Sequence, residues 1–241
     1  MIMTFNEFKK LAKKGNVIPL FKELIIDMDT PVSLFRKLAE SREYSYLLES
    51  LEGGEHWGRY SFLSYDPEKV FRVENGRVKI TEGRKTIRES RTTDPLRSLQ
   101  EFIKEYKPVH LNGLPRFWGG VVGYISYDCV RYYEKIGSTL KSDLELPESV
   151  FVLSGKVLIF DHLKHKLIIV SVVNTSRPFS LKKLYDRSVN EILSIEKSIR
   201  SELKNLKAPG IAKKNTQKGF QSNIPKQDFI GAVKKAKEYI Y

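Results

Sequence analysis

The sequence predicts an α+β fold with an antiparallel sheet. Segments rich in β-branched and aromatic residues alternate along the chain with amphipathic helical stretches. Asn75-Gly76 sits between two alternating runs, Phe71/Val73 before it and Val78/Ile80 after it, which is the strongest short-range hairpin signal available. Farther on, Val157-Leu158-Ile159-Phe160 and Leu167-Ile168-Ile169-Val170 flank a short polar turn containing His162 and His165.

Taken in order, Thr4-x-x-Glu7 is a capping box that opens a short helix with Phe5, Phe8 and Leu11, read as a peripheral element over residues 1–16. Residues 17–26 are strand-like, and Asp29-Thr30-Pro31 then caps a helix whose buried stripe is Leu34, Phe35 and Leu38. Tyr44 to Ser50 and Gly58 to Leu63 read as two strands joined by a loop. Asp94-Pro95 starts a helix with Leu96, Leu99, Phe102 and Ile103 at helical spacing, and Pro108 lies beyond its end. The domain from 17 to 175 closes with a β region over 150–173, followed by a long amphipathic helix over 176–203 carrying Leu184, Val189, Ile192, Ile195 and Ile199. Residues 204–224 read as a basic linker. Residues 225–241 form a last helix with Phe229, Val233, Ala236 and Ile240 on one face, and the expectation is that covering material lies beyond it.

The 241 residues carry a formal charge of +13, unevenly spread. From Lys197 onward there are eleven Lys and Arg against Glu202, Asp228 and Glu238, a solvated basic tail. Its stretch from Lys204 to Lys218 has no aromatic side chain for base stacking, so no nucleic-acid partner is expected. Neither a signal peptide nor a membrane span is legible, and the single cysteine, Cys129, has no disulfide partner and reads as a buried filler; a cytoplasmic location is expected. His162 and His165 have no third ligand nearby and read as turn residues.

The densest unusual segment is Leu114-Pro-Arg-Phe-Trp-Gly119-Gly120-Val-Val-Gly123-Tyr124-Ile-Ser-Tyr-Asp128. Glycines among large aromatics signal a close backbone approach or positive φ. The spacing fits neither a dinucleotide fingerprint nor a P-loop, so the segment reads as a packed strand entering a helix. It resembles the glycine-aromatic signature in the N-terminal domain of anthranilate synthase component I, the chorismate-using enzyme of tryptophan biosynthesis. Leu47-Leu48-Glu49-Ser50, Gly58-Arg59-Tyr60-Ser61-Phe62 and the closing Ala236-Lys237-Glu238-Tyr239-Ile240 are similar to further elements of that family, in the family's order.

The resemblance implies a two-sheet antiparallel β-sandwich flanked by helices, incomplete without the C-terminal half of the family fold. It also implies a pocket for tryptophan as feedback inhibitor, lined by Ser50. Alternation along a strand puts Leu48 and Ser50 on one side and Leu47 and Glu49 on the other. Glu49 attracts the effector's ammonium if its carboxylate turns toward the pocket rim, and Arg59 pairs with the carboxylate from the opposite side; the alternatives are a cross-strand Glu49–Arg59 ion pair and a Ser50 hydroxyl bonded to backbone.

The family's chemistry, amination of chorismate with loss of pyruvate and with Mg2+, is implied for residues of the C-terminal half. No catalytic residue, metal ligand or bound cofactor is therefore assigned here, and the chain alone is expected to be inert. Glu145, Glu148 and Asp161 read as turn or surface carboxylates. The implied partners are a separately encoded catalytic half and the glutamine amidotransferase component II. A stand-alone tryptophan sensor and a para-aminobenzoate synthase component are the alternative readings.

Overall fold

The computed structural model describes residues 2–26, 29–49, 58–136, 146–201 and 222–240. The chain divides into two units, Met1–Glu202 and Leu203–Tyr241.

In the first unit, ten strands form two five-stranded sheets, antiparallel throughout. The first sheet has the order β1-β10-β9-β3-β2, from β1 (Val17–Ile25), β10 (Lys166–Asn174), β9 (Lys156–Asp161), β3 (Tyr60–Tyr65) and β2 (Ser45–Leu48). The second has the order β6-β5-β4-β8-β7, from β6 (Lys85–Arg91), β5 (Arg77–Glu82), β4 (Lys69–Glu74), β8 (Ser149–Leu153) and β7 (Val121–Ile125). The expected hairpin is β4 and β5: Asn75 and Gly76 both take positive φ, 50° and 68°, as a two-residue turn between right-twisted strands requires.

Helices follow their caps. In α1 (Phe5–Leu11) the Thr4 hydroxyl and the Glu7 carboxylate cap each other's backbone reciprocally, and Thr30 and Ser33 do the same for α2 (Pro31–Leu38). Asp94 caps α3 (Pro95–Lys104) and Ser180 caps α4 (Leu181–Arg200).

Strand alternation divides the first sheet into two faces. Leu158, Phe160, Leu167 and Ile169 face α1, α2 and α4, burying Phe8, Leu34, Ile192, Ile195 and Ile199; Val157, Ile159, Ile168 and Val170 face the other way, against Trp118. Each fully buried aliphatic side chain contributes about 1.5–3 kcal/mol. The short N-terminal helix, read from sequence as peripheral, is part of the main core: Phe8 is fully buried and the Tyr185 hydroxyl of α4 donates to the Met3 carbonyl at 2.8 Å.

In the second sheet Phe71, Val73, Val78 and Ile80 pack under Phe102 of α3, and Tyr106 touches this cluster and the Trp118 cluster alike. Strand β6 is exposed along its whole length and, among the described residues, pairs only with β5, across a register shift at Ile80/Thr81. The second unit holds α5 (Lys226–Ile240), whose residues are exposed. Most of the basic linker read from the sequence lies outside the described residues.

Candidate functional site

Strands β2 and β3 run antiparallel with Leu47 opposite Leu63 and Leu48 opposite Phe62. Leu47 packs into the main core, whereas Leu48 is 42% exposed on the opposite face. Beyond Leu48 the chain reaches Glu49, which is exposed; Ser50 lies outside the described residues, as do residues 51–57. Because the strands are antiparallel, Glu49 and Arg59 belong to the same end of this ladder.

Arg59 is held rigidly there. Its Nε and Nη2 donate to the two carboxylate oxygens of Asp161 at 3.0 and 2.8 Å, and its guanidinium carbon lies 4.8 Å from the centre of the Tyr60 ring. No ion pair joins Glu49 to Arg59. Asp161, read from the sequence as a turn carboxylate, is instead buried at the end of β9 and also accepts from the Lys164 amide at 3.2 Å. Sequence reasoning missed it, although an acid closing the apolar run Val157 to Phe160 is a signal that something cationic must meet it. Two further links fasten the same corner: the His162 amide donates to the Arg59 carbonyl at 2.9 Å, and the Ser61 hydroxyl and His162 Nε2 are 2.7 Å apart.

Burial pushes the Asp161 carboxyl up, and the hydrogen bonds from Arg59 and the Lys164 amide outweigh it, holding the group below its ordinary 3.8. A carboxyl whose folded value is depressed contributes stability that is fully present above its unfolded value and is lost as pH falls through the lower folded one. The stability difference between the wild type and Asp161→Asn is therefore expected to be constant above the ordinary carboxylate range and to shrink only in acid below it. Urea midpoints of both proteins along a pH series check this; a difference that fades while pH is still near neutral would contradict it.

The glycine-aromatic segment forms β7 and leads into a 3-10 helix, Tyr127–Tyr132. A Cβ on Gly123 would lie 1.9 Å from the Val150 carbonyl oxygen, and one on Gly119 would lie 3.0 Å from Val172 Cγ2; Gly120 has φ +126°. Tyr124 donates its hydroxyl to the Pro147 carbonyl at 3.1 Å. Cys129 is buried, its thiol 3.1 Å from the Glu148 carbonyl and pushed up by burial.

Of the carboxylates weighed for chemistry, Glu148 accepts from the Tyr132 hydroxyl at 2.8 Å, Asp161 is committed to Arg59, and Glu145 lies outside the described residues. Among the described residues no group of three or more His, Cys, Asp or Glu is placed to hold a metal ion. Among the same residues no helix is long and apolar enough to cross a membrane.

Comparison with known proteins agrees with the architecture. The model of a family described as chorismate binding enzyme matches residues 43–241. Anthranilate synthase component 1 of Aquifex aeolicus is 37% identical over 244 residues, covering 99% of this chain and 47% of that protein. The Acetivibrio thermocellus protein of the same name is 37% identical over 249 residues, covering 98% and 48%. The crystal structure of anthranilate synthase component I from Streptococcus pneumoniae TIGR4 superposes with a TM-score of 0.55 at 24% identity, over 90% of this chain and 45% of that one, which shows a shared fold. The chain spans about half the length of the curated relatives it matches. It belongs to the chorismate-binding enzyme family, as a partial relative of anthranilate synthase component I.

Proposed function

We propose that the chain is the N-terminal, tryptophan-binding regulatory part of anthranilate synthase component I, the cytoplasmic enzyme that converts chorismate and ammonia drawn from glutamine into anthranilate and pyruvate. The observation that carries the reading is the state of Arg59. Asp161 occupies two of its five N–H donors, which fixes the guanidinium and leaves three donors for a carboxylate at the end of the ladder where Glu49 is exposed. A zwitterionic amino acid suits that pairing, its ammonium toward Glu49, its carboxylate toward Arg59 and its ring over the exposed Leu48; Ser50 enters this reading from the family resemblance.

On this reading the two sheets belong to a sandwich completed by strands from the catalytic half, which supplies the chorismate and magnesium chemistry. The chain alone is inert, and component II is the partner that delivers ammonia. Calorimetric titration of L-tryptophan into the 241-residue chain is expected to show saturable binding. Ser50→Phe should abolish it and Arg59→Ala should weaken it roughly tenfold or more. A folded chain that takes up no tryptophan, or binding indifferent to both substitutions, would overturn the assignment.

A further inference from the structure

A cavity of about 170 Å³ opens where the two sheets meet the C-terminal end of α3. Val17 and Val172 reach it from the first sheet, Val121 and Leu153 from the second, and Tyr106 and Trp118 from the connecting segments. The volume is that of one ring: a dry apolar cavity of about 150 Å³ takes up benzene. It is too small for an indole with its amino-acid head, and neither Glu49 nor Arg59 lines it.

Its charge is as specific as its size. Arg116 and His110 line the cavity and are exposed, and among the described residues the Arg116 guanidinium has no ion-pair or hydrogen-bond partner. Among the described residues the one carboxylate in the wall, Glu68, is already satisfied, accepting from Asn174 Nδ2 at 3.2 Å and paired with Arg177 at 3.1 Å. An apolar chamber with a free guanidinium at a wet rim favours a ligand with a flat ring and one carboxylate, the ring desolvated and the charge left near water.

We propose that this cavity is a second ligand site, taking a single-ring carboxylate of benzoate size with the ring against Trp118, Tyr106, Leu153 and Val172 and the carboxylate on Arg116. It is independent of the tryptophan reading. The buried indole of Trp118 is a built-in reporter, and Trp57→Phe removes the only other tryptophan.

In that background, benzoate titrated into the 241-residue chain is expected to change the Trp118 emission saturably. Arg116→Ala should weaken benzoate roughly tenfold and Arg116→Lys less, while phenol, which has the ring without the carboxylate, binds both proteins alike. Because Arg116 is exposed, its loss is expected to leave the fold intact, and circular dichroism checks this. Excess L-tryptophan should leave the benzoate titration unchanged, so a chain that binds benzoate but no tryptophan refutes only the effector reading. No saturable response in a folded chain, benzoate affinity unchanged by Arg116→Ala, or displacement by tryptophan would each overturn the proposal.

Discussion

Gly123→Ala is expected to destabilise the first unit by about 3 kcal/mol or more, at the upper end of what overpacking a well-filled site does. The atoms in the way are backbone: the added carbon would sit 1.9 Å from the Val150 carbonyl oxygen and 2.6 Å from Phe151 Cα. A flexible side chain would swing aside, but a strand partner moves only if the ladder opens, and Gly123 stands opposite Phe151 in the β7–β8 register. β7 is an edge strand, so the relief available is for it to peel from β8. Urea unfolding gives the size of the loss, and hydrogen exchange at Val121 to Ile125 shows whether the strand has detached. A change under about 1 kcal/mol would mean that the strands separate more easily than the pairing implies.

Phe8→Ala is expected to remove about 3–5 kcal/mol, the usual loss for truncating a buried aromatic without collapse of the space it leaves. Phe8 is fully buried, its ring 5.6 Å from that of Tyr185 and 6.5 Å from that of Phe5. It is the one fully buried side chain of α1, so without it the helix keeps Phe5 and the Tyr185 to Met3 hydrogen bond as its principal ties to α4. Denaturant midpoints check the magnitude. A fall below about 1 kcal/mol would restore the view of α1 as an ornament on the domain.

That view came from the sequence, and its correction shows where reading residues runs out. Caps and turns were legible because their signals are local. Thr4 with Glu7, Thr30 with Pro31, Asp94 with Pro95 and Asn75-Gly76 each depend on neighbours within a few residues, and each took the structure expected of it. The buried stripe of α4 was legible for the same reason, through the spacing of Leu184, Ile192, Ile195 and Ile199.

Phe8 and Asp161 were not, because their roles depend on residues far away, Tyr185 in one case and Arg59 in the other. Strand β6 escaped notice because both its faces are exposed and Lys85 to Arg91 carries no hydrophobic alternation. Of the candidate effector residues, the opposite placement of Leu47 and Leu48 followed from strand period alone. The anchoring of Arg59 required the fold.

The order of the first sheet sets a timetable for synthesis. β1 lies at its edge, and among the strands described its ladder partner is β10, Val17 meeting Asn174. β1 therefore meets its ladder partner only after about 140 further residues have been made. At about 5–20 residues per second that wait is on the order of ten to thirty seconds. Throughout it Ile18 and Leu20, fully buried once the sheet closes, have no sheet to cover them. The second sheet is under no such delay on its β4–β5 side, where the partner strand follows two residues later. A nascent chain stalled before residue 166 should thus already protect the β4–β5 hairpin while leaving β1 open to chaperones and proteases. The domain's vulnerability is then governed by elongation speed as well as by the stability it finally reaches.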